Sequence, residues 1–422
     1  MVVSQIVTPP FVANMAQLTT YDDITAALRA SEMESFRDEY SHDFLGGTLP
    51  ALNGQEHFAR RRLESPIFNT SALRSWQEET LRPLVDSYLT QLASTTSLGE
   101  HPQIDLLEAG LHLLVRIGAS FSGLGEITSQ EQASRLLNYV ESFSTGVGFE
   151  WVRLPDDERA SLLTDTVRNT QKFRDEFFEP ALLHRRSLIQ QYENGEIQKE
   201  ELPRDVLTMM LIHENKSSED VMFREVALYL HASILTTAGA VCHSVEEITA
   251  WLDVHPEDRW ILEDPDALRD AVSEVLRLHP LVPALVRRAT ADITMPSGMD
   301  IAAGTDVALL FRFANLEPGV YGDDAKTFNP FRTQVLPPTV SPSGFTFGGG
   351  THMCMGRRMA GGDGKSAENG TSSDGMVSTI VQAFFRVGVA PDPVRPAQIT
   401  QTTFHDHYTT YPVILTSLNT ER

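Results

Sequence analysis

Phe347-Gly348-Gly349-Gly350-Thr351-His352-Met353-Cys354-Met355-Gly356 places one cysteine at the end of a glycine-rich loop that runs into a helical segment. Gly348, Gly349 and Gly350 carry no Cβ, so the backbone can turn tightly and adopt positive φ where needed. Gly356 lets the following helix begin close beneath a flat ligand. The Cys354 sulfur is then near backbone N–H groups and the positive end of a helix, both of which favour the thiolate. Such a thiolate can ligate a haem iron and push electron density into bound O2, which favours O–O cleavage. A lone cysteine is more often a small buried hydrophobe. Here the surrounding aromatic, glycine and histidine positions argue for a ligand.

The order aromatic, two residues, Gly, one residue, His, one residue, Cys, one residue, Gly resembles the haem-binding loop of the cytochrome P450 family. The resemblance implies haem b as cofactor and Cys354 as the proximal iron ligand. It also implies that His352 contacts a haem propionate, that the Phe347 ring shields the sulfur, and that Gly348, Met353, Gly356 and Ala360 line the cofactor.

Composition agrees with a large enzyme. The chain has 422 residues, enough for a substantial core. No Pro/Gly/Ser-rich linker, charge run or repeat divides its middle, so we expect a 1–20 N-terminal extension and a single domain over 21–422. The formal charge of −23 argues against nucleic acid and anionic membrane surfaces, which need a basic footprint. The two cysteines, Cys242 and Cys354, are far apart, so a disulfide framework is not expected and a reducing, cytoplasmic compartment fits. Met1–Leu18 has neither a basic leader nor an apolar run long enough to span a bilayer, so no membrane anchor is expected. Few residues precede the first clear helix, around Tyr21–Ser31, so the family's usual opening helix and strand should be shortened or missing.

Apolar periodicity predicts further helices over Ala72–Ala93, Ile104–Phe121, Ser129–Phe143, Asp156–Gln191, Arg204–Ile212, Ser218–Asp253 and Pro265–Leu278. Strand signals cluster late, at Ala284–Arg288, Asp292–Met295 and Asp306–Phe311, with a turn at Pro296-Ser297-Gly298. A helix-rich body with a small late β region is a predominantly helical α+β architecture, and the resemblance makes it the cytochrome P450 fold.

Glu274-Val275-Leu276-Arg277 lies in a helix marked by Asp264 as N-cap and Pro265 at the first position. Three apart, Glu274 and Arg277 share a face and can pair. Alone, this pattern is an ordinary surface salt bridge. Ala314-Asn315, Pro318 and Phe328-Asn329-Pro330-Phe331-Arg332 resemble the family's meander before the cysteine loop, which implies that Arg332 joins the pair in a structural triad behind the haem. His57 and Arg61, at i and i+4, can face one acceptor. With Arg287, they match family positions for propionate contacts.

Ala232-Ser233-Ile234-Leu235-Thr236-Thr237 resembles the family's oxygen-activation segment midway along a long helix. A small residue at Ala232 or Ser233 leaves room for O2, and the Thr236 hydroxyl can relay protons during oxygen activation, with Thr237 beside it. Two departures stand out. Ser233 replaces the usual Gly, and Leu235 stands where many members carry an acid or another polar residue. The apolar substrate is expected among Ala232, Ser233, Leu235, Thr236, Val282, Ala284 and Leu285 and the poorly patterned stretch from Phe36 to Leu52. A further departure is the Gly361–Gly375 run GGDGKSAENGTSSDG, with the composition of a flexible solvated loop, after which the helix should resume near Met376. Arg357 and Arg358, with Arg60–Arg62, form local basic clusters that can steer an acidic electron donor.

The expected function is insertion of one oxygen atom from O2 into a small apolar organic substrate by a monomer that receives electrons from ferredoxin and ferredoxin reductase, since the chain has no dinucleotide or flavin fingerprint. Leu235 keeps open a haem-thiolate enzyme that uses peroxide, or that rearranges, dehydrates or couples its substrate. A non-enzymatic haem sensor or carrier, and a purely structural Cys354, are the other readings.

Overall fold

The computed structural model of the chain describes residues 10–36, 39–95, 101–212, 217–363, 373–403 and 407–418. Helices run over Tyr21–Arg29 (α1), Glu39–Leu45 (α2), Gly54–Glu64 (α3), Thr70–Trp76 (α4), Arg82–Thr95 (α5) and Leu106–Ser122 (α6). They continue with Gln130–Val147 (α7), Asp156–Phe173 (α8), Glu179–Glu193 (α9), Val206–Ile212 (α10), Glu219–Val254 (α11) and Pro265–Leu278 (α12). Phe311–Asn315 (α13), Pro318–Tyr321 (α14), Arg357–Gly361 (α15) and Met376–Arg386 (α16) complete the set. The strands that matter here are Ala16–Leu18 (β1), Met33–Ser35 (β2), Gln103–Asp105 (β3), Leu285–Ala289 (β4), Ile293–Thr294 (β5), Asp300–Ile301 (β6), Asp306–Leu309 (β7), Val389–Pro391 (β8), Gln398–Ile399 (β9), Tyr408–Thr410 (β10) and Pro412–Leu415 (β11).

Local chemistry sets several of these boundaries. The Asp264 carboxylate accepts from the N–H groups of Asp266 (2.9 Å) and Ala267 (3.0 Å), and Pro265 follows it, so α12 starts where its sequence demands. Ser129 and Gln132 form a capping box at the head of α7. Two of the expected helices are interrupted. A π turn at Gln77–Leu81 joins α4 to α5, and another at Arg174–Phe178 divides the expected 156–191 helix into α8 and α9. Ile104 is not helical, because Gln103–Asp105 pairs with β11, and the Asp105 carboxylate then accepts from the Glu108 N–H to start α6.

The chain forms two compact units, with a boundary inside α11 between Leu235 and Thr236. One comprises the residues up to Phe36, Leu73–Gly110 and Thr236 onward. It holds a four-stranded sheet in the order β1-β7-β4-β2 and a three-stranded sheet β3-β11-β8. The β region is therefore not only late: β1 runs parallel to β7 and β2 antiparallel to β4, two early strands of three residues each. Before α1, the described residues contain β1 and one 3-10 turn, Pro10–Val12, and no α-helix. Leu18, Ile24, Leu28, Met33, Val307, Leu309 and Phe311 make one core beneath this sheet, and Phe345, at the head of the cysteine loop, belongs to it.

The other unit, Arg37–Ala72 and Leu111–Leu235, is built from helices, with α7 lying along α8. The stretch from Phe36 to Leu52, patternless in sequence, contains α2 and a 3-10 turn at Leu49–Ala51. Among the described residues, α11 alone is long and apolar enough to cross a membrane by composition, and 61% of its apolar window is buried within the protein. That burial is what a core helix shows.

Candidate haem-thiolate site

The cysteine loop is held from behind. Thr346 donates its hydroxyl to the Leu276 carbonyl of α12 at 2.5 Å, and the Phe345 N–H donates to the Asn315 side-chain oxygen at 2.8 Å. The chain turns at Gly348 (φ 65°) and Gly350 (φ 60°), and the Cys354 N–H closes the loop on the Phe347 carbonyl at 2.9 Å. Gly350 is required twice over, since a Cβ there would also lie 1.8 Å from the Leu28 carbonyl oxygen. Gly350→Ala is therefore expected to cost about 2 kcal/mol or more of folding stability in urea titration, the toll of a strained φ joined to a backbone clash. Gly349 is extended, and a Cβ on it would press on Leu28 at 3.1 Å. Gly356 has φ −79°, so its backbone does not require glycine, and a Cβ there would only touch the Cys354 sulfur at 3.9 Å.

Within this bound loop Cys354 is exposed, three residues before α15, and it is not in a disulfide with the buried Cys242. Phe347 is half-buried, its ring 3.3 Å from where a Gly361 Cβ would stand, so the glycine at 361 admits the ring. His352 is half-buried in the turn Gly350–His352, Met353 and Ala360 are half-buried, and Arg287 on β4 is buried and donates to the Val286 carbonyl at 3.0 Å.

Glu274, Arg277 and Arg332 come together behind the loop. The Arg277 guanidinium donates twice to Glu274, each at 2.7 Å, and reaches the carbonyls of Asn315 and Ala325 with its other nitrogen. Arg332 donates to the same carboxylate at 2.7 Å and to Asp324 at 2.8 Å, and the Arg277 guanidinium lies over the Tyr321 ring. Every buried charge in the cluster is thus paired and hydrogen-bonded, the condition under which burial of ions is tolerated. Asn315 links the triad to the loop, accepting from Phe345 while donating to the Arg277 carbonyl at 3.0 Å. The sequence reading missed this link and that of Thr346. The available signal was a hydroxyl and an amide beside glycines, which invite side chain to backbone bonds.

On α11, Thr237 is buried, and Thr236 and Leu235 are half-buried. Val282 is exposed, Ala284 buried and Leu285 half-buried. In the helical unit, Ala232 is exposed although Leu230 and Ile234 beside it are fully buried. Ser233 turns its hydroxyl to the Leu230 carbonyl at 3.2 Å and packs on Gly118 of α6, so Ala232, not Ser233, presents the small open surface. His57 on α3 is buried; desolvation and then the Arg61 charge hold its pKa below the ordinary histidine value. It is therefore neutral near pH 7. Arg61 is half-buried, Arg62 exposed, and Arg60 turns inward to Glu225 at 2.7 Å.

That pairing corrects the expected basic clusters. Arg60 is neutralised inside its unit, and Arg358 is bonded to Asp363, which raises its pKa further, so neither offers a spare charge to an electron donor. Arg357 and Arg62 remain exposed.

The expected loop over 361–375 is narrower than its composition suggests. Residues 364–372 lie outside the described residues, but the ends on either side are fastened. The Asp363 N–H donates to the Ser373 carbonyl at 3.0 Å, buried Ser373 donates to Gln77 at 2.8 Å, and Arg82 donates to Asp374 at 2.7 Å. Gln77 opens the π turn between α4 and α5, so that irregularity serves to hold the neck. The helix resumes at Met376.

The sequence profile described as cytochrome P450 matches residues 264–362, from the N-cap of α12 through the cysteine loop to the end of α15. The Arabidopsis thaliana cytochrome P450 734A1 is 23% identical over 365 residues, covering 78% of this chain and 67% of that protein. The Steroid C26-monooxygenase of Mycolicibacterium smegmatis is 30% identical over 164 residues, 37% of each chain. The fold matches that of CYP109E1 from Bacillus megaterium, solved with corticosterone, with TM-score 0.69 and 17% identity over 97% of this chain and 95% of the other.

Over residues 264–362, and in its fold, the chain is similar to cytochrome P450 proteins. It spans about two thirds of the length of curated P450 relatives such as the Arabidopsis protein. Its fold is the predominantly helical P450 fold. The similarity implies haem b. The residues suit that group: an exposed thiol on a loop with no slack, and arginine and histidine donors of the kind that bind carboxylates.

Proposed function

We propose that this P450 is a soluble, cytoplasmic, monomeric haem-thiolate monooxygenase, its single domain running over 21–422, that inserts one oxygen atom from O2 into an apolar organic substrate. The observation that carries the proposal is the exposed Cys354 on a loop fixed by Gly350, Thr346 and the Asn315–Arg277 link. Bound haem with a thiolate on its iron would supply the oxygen activation. Cys354 ligates; Phe347 covers the sulfur; Arg287 and His352, with His57 and Arg61 of the helical unit, bind propionates; Gly348, Met353, Gly356 and Ala360 line the group.

Ala232, Leu235, Val282, Ala284 and Leu285 are the apolar substrate contacts, with Ser233 beside them, and similarity to a steroid C26-monooxygenase, a C-19 steroid 1alpha-hydroxylase and a protein solved with corticosterone supports a polycyclic apolar substrate. Thr236 moves protons, with Thr237 buried beside it. Electrons come from a ferredoxin and its reductase.

Leu235 favours one competing reading, a peroxide-using enzyme, because no acid stands before Thr236. The test offers a panel of steroids and fatty acids to the purified protein, with ferredoxin, reductase, NADPH and O2 in one arm and hydrogen peroxide in the other. Monooxygenation predicts hydroxylated product that requires NADPH and carries one atom from 18O2. Product from peroxide alone, with none from the reductant arm, would select the competing reading.

A further inference from the structure

Among the described residues, the helical unit buries more acid than it has base to match. Glu64, at the end of α3, and Glu225, on α11, are both fully buried, and Arg60 is the cation that reaches them, at 2.7 Å from Glu225 and 3.8 Å from Glu64. The two carboxylates are not equivalent. Glu225 also accepts from the Leu49 N–H through both oxygens, at 3.2 and 3.1 Å, while the second Arg60 nitrogen is engaged by Ser217 at 2.8 Å. Among the described residues Glu64 has one hydrogen bond, 2.6 Å from the Tyr229 hydroxyl of α11, and its other oxygen is buried with no hydrogen-bond partner. The Tyr229 ring stacks on Phe68 and meets Phe121 edge-on, so it is not free to turn away. An anionic carboxylate with a dry, unsatisfied oxygen is costly; a neutral carboxyl costs much less.

We propose that Arg60, Glu64 and Glu225 form a proton-dependent lock that fastens α3 to α11, in which Glu225 is the anion paired with Arg60 and Glu64 is held as the neutral acid against Tyr229. Tyr229 can serve both forms of Glu64, accepting from the acid or donating to the anion. Burial pushes Glu64 up to about 7 against the opposing pull of Tyr229, Arg60 and Arg61, and burial with the Glu64 charge raises Glu225 as well. The pair titrates as a unit. Because Glu64 binds its proton more tightly folded than unfolded, the stability it confers is complete below pH 4.5 and is lost as pH rises through about 7. Loss of that proton puts two anions on one guanidinium and loosens the α3 segment that carries His57 and Arg61.

The lock does not depend on haem, so a test that reads folding separates it from the haem-thiolate proposal. Thermal melting of the purified full-length protein between pH 5.5 and 8.5 should show a midpoint that falls by about 5 °C through pH 7. Glu64→Gln keeps the shape and fixes the neutral form, so its midpoint should not fall through that window and should exceed wild type at pH 8.5. Glu225→Gln leaves Arg60 to Glu64, whose proton is then lost at lower pH; this variant should melt lower throughout but without the step near pH 7. The infrared difference between wild type and Glu64→Gln should show a protonated-carboxyl band at pH 5.5 that fades by pH 8.5. The same step near pH 7 in Glu64→Gln as in wild type, or no difference band between the two at pH 5.5, would overturn the assignment.

Discussion

Glu274→Gln is expected to leave little folded protein. The Glu274 carboxylate takes two bonds from Arg277 and one from Arg332, and it also accepts the Asn329 N–H at 3.3 Å. All three charged side chains are buried. Neutralising the carboxylate strands two guanidiniums in a low-dielectric interior, with half-exposed Asp324 the remaining acid on Arg332. Removing one partner from such a buried cluster costs about 3–5 kcal/mol. Net stability of a domain is about 5–15 kcal/mol, so this loss is a large fraction of it. The damage should also reach the cysteine loop, since Arg277 holds the Asn315 carbonyl and the Asn315 side chain holds Phe345. Soluble yield and denaturant melting would measure the effect. A variant that unfolds within about 1 kcal/mol of wild type would show that the triad is not the anchor of the loop.

Cys354→Ala is expected to have the opposite profile, with chemistry abolished and folding intact. Cys354 is exposed, and its bond to the Phe347 carbonyl is made by the backbone N–H, which alanine retains. Its unfolding free energy should therefore stay within about 0.5 kcal/mol of wild type. Oxidation of any substrate turned over by wild type should fall to background, because alanine cannot ligate iron. Retained reductant-driven turnover in the variant would remove Cys354 from the mechanism. A variant that fails to fold would instead show the thiol to be structural.

The sequence was most readable where chemistry is local. Asp264 and Pro265 fix the start of α12, and Glu274 and Arg277 share a face by spacing alone. Positive φ at Gly348 and Gly350 follows from a triple glycine that must turn sharply. What was hidden depends on partners far along the chain. Strands β1 and β2 have three residues each, too few for a period-2 signal, and exist because β7 and β4 lie more than 250 residues away to pair with them. The neck at Asp363 and Ser373 looked like part of a loop because Gly, Ser and Asp are loop residues, yet Gln77 and Arg82 bury and pair its far end. Arg60 and Arg61 are chemically alike in sequence; which one turns inward is decided by Glu225, on another helix.

The central claim is that Cys354 is an iron ligand, and the most direct test is the absorption spectrum of the dithionite-reduced, carbon-monoxide-bound protein. This reports the axial ligand without knowledge of the substrate. The account predicts a Soret band displaced to longer wavelength by thiolate ligation in wild type and lost in Cys354→Ala. A Soret band at the ordinary short wavelength in wild type, or a protein purified from haem-replete cells with no haem, would contradict it.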